Sequence, residues 1–424
     1  MNLCRQVGRV NPVPDIAPAP RPLPRPVRAS RQEHLRAHNL AVVLGHVVDA
    51  VAPPSRAQIA AATGLSRGAV TGLTDLLVDA GLVRELDPVV LARAGRPAVP
   101  LAPVAGRVAG VGLEVNVDYL GVRAVDLAGG VLGEHVEHVD LRGSAPVDAL
   151  DRLGALAAPL LDRLAADRVH LAGAALALPG LVDRVTGPLR LAPNLGWRDV
   201  DVLDVLVTAG TLGGLVPRLA NEANLAARAE AHARRATGPA SFLYVSGEVG
   251  IGGAVVLDGE LFTGRHGWSG EIGHVVVDGR APGRDGTLEA LAGQDAIASS
   301  AGLAGRPFAD VVAAAAAGDP RAVAAAHGAG RWLGLAVASV ANVVDVAHVV
   351  LGGSFARLAP HVRGPVQDAL DAHVIFAPWS APQVVAAVAG DYPALSGGAL
   401  AVLRQAVAAP DALLAGVPRG AVRP

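Results

Sequence analysis

The chain has a single cysteine, Cys4, and no lysine, so all 36 of its basic residues are arginine. One thiol excludes a disulfide framework and any metal site built from several cysteines. The missing lysine excludes Schiff-base chemistry and a lysine-based phosphate loop. Aromatic residues are also few, at 3% of 424. No positively charged start leads into an apolar signal-like stretch, and the longest apolar run, residues 333–353, is interrupted by Asn342, Asp345 and His348. That run reads as a buried helix followed by a strand rather than a membrane span. The expectation is a soluble cytoplasmic protein with no membrane partner.

What is abundant is small and apolar: hydrophobic residues make up 51% of the chain and charged residues 17%. Such a composition fills buried cores easily, and the length suggests two or three domains. Charge is unevenly spread. Residues 1–100 hold 12 Arg against 7 acidic residues, a net of +5, within a chain whose total is −2. A basic first segment on an acidic body points to nucleic acid at one end.

Residues 1–30 carry seven prolines between Pro12 and Pro26, interleaved with arginines, and are expected to form a disordered tail. Helical periodicity follows. Leu35, Leu40, Val43, Leu44 and Val47 mark the buried side of a helix over about Gln32 to Val51, which Pro53 and Pro54 end. Ser55 is placed to cap a short helix, Arg56 to Thr63, Gly64 supplies a tight turn, and Ser66 caps a third helix to about Ala80. Helix, turn and second helix in this order fit a helix–turn–helix, with a β-wing from Leu82 to about Leu101. The second helix places Ser66, Arg67, Thr71 and Thr74 as candidate DNA contacts, since arginine pairs with guanine and threonine reaches a base edge or phosphate.

From Val108 the pattern changes to glycine-punctuated alternation. Val108 to Val139 reads as three strands, with a turn at Ala128-Gly129-Gly130, and a similar unit recurs over Ser241 to Gly264, turning at Asp258-Gly259. Two copies of one hairpin unit, each followed by helices and strands, suggest a duplicated α/β fold with a cleft between lobes.

Several motifs give this pattern a family resemblance. Residues 270–289, GEIGHVVVDGRAPGRDGTLE, combine Glu271-x-x-His274 with Gly286-x-Leu288-Glu289. Leu176 to Val202 contains Pro179-Gly180, Asp183 and Ala192-Pro193-Asn194-Leu195-Gly196-Trp197; Asn221 to Glu230 reads NEANLAARAE; Val349 to Phe355 reads VVLGGSF. Together they resemble the ROK family (repressor, open reading frame, kinase) of sugar kinases and sugar-responsive repressors. Leu91 to Pro97 similarly resembles an Arg-Gly-Arg-Pro element of ROK repressors, making Arg93 and Arg96 candidate minor-groove contacts. The resemblance implies an α/β fold: a winged helix–turn–helix, then a two-lobed actin-like, hexokinase-like (ribonuclease H-like, duplicated) ROK domain. The expected divisions are a tail (1–30), the DNA-binding domain (31–103), the ROK domain (104–410) and a second tail (411–424). Within the ROK domain the cleft lies between about 104–220 and 221–385, and a C-terminal helix returns to the first lobe.

The resemblance further implies a sugar site made of Gly180, Asn221, Glu222, Glu271, His274 and Glu289. A sugar hydroxyl both donates and accepts, so carboxylates, an amide and a histidine suit it. The family's zinc motif has lost its cysteines: Arg280, Pro282 and Thr287 stand where they would be, so no metal is expected.

The kinase half is also altered. Where the family's kinases carry Asp-Gly-Gly-Thr-Lys, this chain reads Gly112-Leu113-Glu114-Val115-Asn116-Val117-Asp118-Tyr119. Where they carry Gly-Thr-Gly, it reads Gly247-Glu248-Val249-Gly250. Glu114 and Glu248 are expected to repel phosphate, a like-charge pair 5 Å apart costing about 3 kcal/mol at an effective dielectric of about 20. The expectation is therefore a non-enzymatic, cofactor-free, sugar-responsive repressor, a homodimer or dimer of dimers on a palindromic operator. The alternative is a bifunctional sugar kinase with a DNA-binding extension.

Overall fold

The computed structural model describes residues 32–88 and 98–416. The expected N-terminal tail, Arg93, Arg96 and residues 417–424 lie outside the described residues.

The first unit has three helices, α1 (Gln32–Val48), α2 (Arg56–Thr63) and α3 (Arg67–Asp79), and an antiparallel ribbon of β1 (Val83–Glu85) and β2 (Leu101–Pro103). Ser55 starts α2 through a capping box with Gln58, and Gly64 ends it in the left-handed region at φ 72°. Ser66 caps α3 by accepting from Ala69 N at 3.2 Å. Leu40, Val43 and Leu44 of α1 are buried with Ile59, Val70 and Leu77. Leu35, expected on that buried side, is 52% exposed.

The first lobe follows: β3 (Val108–Val115), β4 (Tyr119–Asp126), β5 (Val131–His138), α4 (Pro146–Ala166) and β6 (His170–Leu178). A small three-stranded sheet, β7 (Leu181–Val182), β8 (Leu189–Ala192) and β9 (Trp197–Val200), leads through α5 (Val202–Ala209) to β10 (Pro217–Asn221) and α6 (Glu222–Arg234). The second lobe comprises β11 (Phe242–Gly247), β12 (Ile251–Leu257) and β13 (Glu260–Phe262), a 3-10 turn (Ile272–His274), α7 (Leu288–Ala292), α8 (Gln294–Ser300), α9 (Phe308–Ala316) and α10 (Pro320–Val344). Then come β14 (His348–Gly352), α11 (Gly353–Arg357), α12 (Ala359–His373), β15 (Gln383–Ala386), α13 (Pro393–Ala408) and α14 (Pro410–Gly416).

The two main sheets repeat one topology. The first runs β5-β4-β3-β6-β10 and the second β13-β12-β11-β14-β15. In each, three antiparallel strands joined by turns are extended by two parallel ones, β3 pairing with β6 and β11 with β14. The short glycine turns expected between these strands explain the antiparallel half, and the helical crossovers explain the parallel half. This is the duplicated, actin-like α/β architecture.

Each sheet sends its last helix across to the other. α6 follows the first sheet but packs on β12, and α13 follows the second but packs on β3, β4 and β6, with the two helices in contact. The crossing is tight enough to require glycine: a Cβ on Gly112 would stand 1.8 Å from Leu395 O, and one on Gly397 1.8 Å from Leu225 O. The first unit joins the same packing. Leu403 and Val407 of α13 and Leu413 of α14 share a core with α1. Residues 411–416, expected as tail, therefore belong to a helix, anchored by the buried Leu413. Burial of a leucine or valine is worth about 1.5–3 kcal/mol, so the first unit is seated on the lobes rather than tethered to them.

Candidate functional site: an inter-lobe cleft and an exposed helix

The cleft lies where the strand ends of both sheets meet, the usual ligand position in α/β folds. Asn221 closes β10 and caps α6, its Oδ1 accepting from Asn224 N at 3.2 Å while its Nδ2 donates to Gly180 O at 3.0 Å. Gly180 is held at φ +87°, where an added Cβ would stand 2.1 Å from Leu191 O. The close approach expected at Gly180 is thus to backbone of β8, which fixes the loop bearing Asn194.

Glu222, the first residue of α6, faces the cleft floor. Asn116 donates through Nδ2 to Glu222 Oε2 and Glu114 Oε1, both at 3.1 Å. Glu114 is buried, and its Oε2 has no hydrogen-bond partner. Burial pushes its carboxyl up to about 7, opposed in part by Tyr119 and Asn116. Glu222 is raised well above the ordinary range by burial first, then by Glu114 and Glu248. Burial also pushes Glu248 up to about 8, with Asp118 and Glu114 adding to it.

Burial thus works against the charged forms of Glu114 and Glu248, and so against the like-charge repulsion of phosphate expected from them. Glu248 also occupies space. Glu248 Oε1 stands 2.4 Å from where a Cβ on Gly353 would be, so its carboxyl fills the space between the β11–β12 loop and the start of α11. One donor in each strand-end loop is also taken. Glu289 Oε2 accepts from Ile251 N at 2.9 Å, and Asn116 Oδ1 accepts from Val117 N at 2.7 Å.

The opposite wall holds Glu271, His274 and Glu289. His274 Nε2 is 4.0 Å from Glu271 Oε2, and its side chain is half exposed. Burial raises the Glu271 carboxyl, His274 opposes this and Glu289 adds to it. Glu271 in turn acts on Glu222, so the two walls are within electrostatic reach across the cleft. A pocket of about 330 Å³ opens between Asn194 of the first lobe and Val249 and Glu289 of the second. The residues taken from the sequence therefore converge, in two groups: Gly180, Asn221 and Glu222 on one side, Glu271, His274 and Glu289 on the other. Asn116 and Asn194 were missed as site residues; their signal was an amide two positions after Glu114 and one within the Pro193-Asn194 loop.

The loop that carries zinc in relatives is closed here without thiolates. Val277 N and Asp278 N both donate to Gly286 O, at 2.9 and 3.1 Å, and Asp278 Oδ1 accepts from Arg280 N at 3.0 Å. Thr287, at a former cysteine position, donates from Oγ1 to Arg284 O at 2.8 Å and caps α7. Among the described residues no group of three or more His, Cys, Asp or Glu side chains is arranged to hold a metal ion, so the donor set does not fit zinc.

On the first unit, Ser66, Arg67 and Thr71 of α3 are exposed together. Thr71 Oγ1 donates back to Arg67 O at 2.9 Å. Thr74 does not join them. It is 0% exposed, because it lies one turn beyond Val70 on the face that packs inward. The expected contact at Thr74 is therefore withdrawn.

A two-lobed actin-like α/β domain with a carboxylate- and amide-lined cleft, carrying a small helical unit in front, is the class of protein that these features define. Residues 111–405 match the model of the ROK family, and the chain belongs to that family. It is 26% identical over 330 residues to the xylose repressor of Bacillus spizizenii, covering 76% of this chain and 84% of that protein. It is 30% identical over 227 residues to a glucokinase of Halalkalibacterium halodurans, covering 48% of this chain and 68% of the kinase. Among solved structures, a ROK family transcriptional regulator described as a homolog of the Escherichia coli MLC protein superposes with a TM-score of 0.72 at 26% identity, covering 90% of this chain and 98% of that one. Among the described residues no single helix is long and apolar enough to cross a membrane.

Proposed function

We propose that this protein is a sugar-responsive transcriptional regulator, acting as a repressor of carbohydrate uptake or catabolic genes, and that it does not phosphorylate its sugar. The observation that carries this reading is the cleft floor, where the Glu248 carboxyl occupies the space against Gly353 and the amides of Ile251 and Val117 already have acceptors. A phosphoryl group gains its transition-state stabilisation from free, preorganised donors. Here Ile251 N and Val117 N already donate to acceptors within the chain. The sugar wall keeps a different character: Glu271 and His274 are partly open to the cleft, and Glu289 has a second carboxylate oxygen to offer.

In this reading α2, Gly64 and α3 form a helix–turn–helix, β1 and β2 are its wing, and Ser66, Arg67 and Thr71 face DNA. Arg93 and Arg96, which follow β1 in the sequence, are assigned to the adjacent minor groove from the sequence alone. A homodimer would place two such units on a palindromic operator. Resemblance to a xylose repressor supports a sugar effector. The packing of α1 on α13 and α14 supports a mechanical route, because α13 also touches the sheet whose strand ends floor the cleft. A sugar that prefers one lobe arrangement would then shift the reading helices. Moving the population from 1:99 to 99:1 needs a preference of about 5.5 kcal/mol.

Incubation with ATP and a panel of pentoses, hexoses and acetamido sugars tests the non-enzymatic half, where no sugar-dependent ADP is expected. Sustained sugar-dependent ADP release would make the protein a kinase with a DNA-binding extension instead.

A further inference from the structure

A second cavity, of about 360 Å³, lies away from the cleft where the first unit meets both lobes. Its walls are the end of α1 at Val48 and Asp49, the turn between β4 and β5, the β12–β13 turn, and facing sides of α6 and α13. The size falls in the range of small-molecule sites, about 300–1,000 Å³.

Its floor is apolar, formed by Leu403 and Val407 of α13 with Phe242 of β11. Its polar lining sets four arginines, Arg228, Arg234, Arg235 and Arg404, and His232 against four acids. Arg228 is the central arginine. Its Nε is buried and makes no hydrogen bond. Burial and the neighbouring Arg404 both act to lower its pKa, with Glu260 opposing them. His232, one turn along α6, is lowered in the same way by burial, Arg235 and Arg404, against Asp49.

The acids of the cavity have partners or lie at its edge. Asp126 spends both oxygens on the N–H groups of Gly106, Ala128 and Gly130, at 2.6 to 3.0 Å. Glu260 pairs with Arg404. Asp258 sits at the rim, 3.5 Å from Ser241 Oγ, and Asp49 is exposed. The Nε–H of Arg228 is a buried donor without an acceptor, which costs free energy unless an occupant supplies one.

We propose that this junction cavity binds a small organic anion, a carboxylate or a phosphate monoester, through Arg228 with Arg404 assisting. An arginine fork matches both kinds of oxyanion, and the apolar floor favours a carbon body over a bare inorganic ion. Because Val48 and Asp49 form one wall, an occupant touches the helix on which the first unit turns. The site is thus an effector site separate from the sugar cleft. Only its effect on DNA rests on the function proposed above; the binding does not.

Isothermal titration calorimetry of the full chain with glucose 6-phosphate, citrate, glucose and inorganic phosphate tests it. Saturable binding of glucose 6-phosphate or citrate is expected, with inorganic phosphate weaker by about tenfold or more. The relative strength of the first two identifies the oxyanion. Arg228→Met should weaken binding by about tenfold or more, and Arg404→Met, at an exposed position, should weaken it in the same direction without endangering the fold. Arg306→Met, on the exposed surface of the second lobe, should leave it unchanged. Absence of saturable heat from both organic anions overturns the proposal, and so does binding that survives both arginine substitutions or disappears with Arg306→Met.

Discussion

The two lobes share a strand order but lock their crossing helices by opposite chemistry. α6 leaves the first sheet and is fixed to the second by an acid: Glu230 is fully buried and accepts from Val388 N at 2.9 Å and Ala389 N at 2.8 Å while pairing with Arg234. α13 leaves the second sheet and is fixed to the first by a base. Arg123 of β4 donates to Ser396 Oγ at 2.6 Å, Tyr392 O at 3.3 Å and Asp391 O at 3.0 Å, and pairs with Glu134. Duplication thus preserved the frame while each copy acquired its own polar lock. The loops at the cleft differ in the same way: the first finds its partner in Glu222 through Asn116, the second in Glu289.

Glu230→Ala should break the comparison most severely. It strands Arg234 and two backbone N–H groups in the interior, and urea unfolding should show a loss of about 3–5 kcal/mol. Arg123→Met removes the matching lock but keeps the aliphatic stem, so a smaller loss of about 1–3 kcal/mol is expected. Equal losses would mean that the two locks are equivalent. In the cleft, Glu289→Ala should abolish calorimetric sugar binding and cost about 1–3 kcal/mol from the freed Ile251 N–H.

The carboxyl cluster gives a pH signature of definite sign. Glu114 and Glu248 have folded-state values of about 7 and about 8, above the ordinary 4.5. The native state therefore binds more protons between those limits, so the cluster's contribution to stability is full below about pH 4.5, is lost as pH rises from there through 7 and 8, and is level above. Scanning calorimetry of Glu248→Gln should show a shallower fall over that window than the parent chain. An unchanged slope would remove Glu248 from the cluster's titration. The smallest effects concern α3. Arg67→Ala should weaken operator binding with stability within about 0.5 kcal/mol of the parent, whereas Thr74→Val, inside the core, should leave DNA affinity alone. Loss of affinity from Thr74→Val with the fold intact would reinstate it as a contact.

Much of this was legible in the residues. Alternation broken by glycine turns marked both hairpin units, and Ser55, Gly64 and Ser66 marked the helix limits, because these signals are local. The convergence of Asn221 and Glu222 with Glu271 and Glu289 was legible only by resemblance, since those residues meet through the fold. Thr74 differs from the expectation because its spacing from Val70 puts it on the inner face. The raised carboxyls of the floor could not be read at all. A glutamate's charge depends on neighbours such as Asp118 and on burial, and neither is local in sequence. The α14 segment was missed for a similar reason, its Leu413 having meaning only once α1 lies beside it.

An electrophoretic shift assay on DNA from upstream of the chain's own coding region, repeated across a sugar panel, bears most directly on the function. A retarded complex that one sugar dissolves, and that Glu271→Gln makes insensitive to that sugar, is the expected result. A complex indifferent to every sugar, or no complex at all, would contradict it.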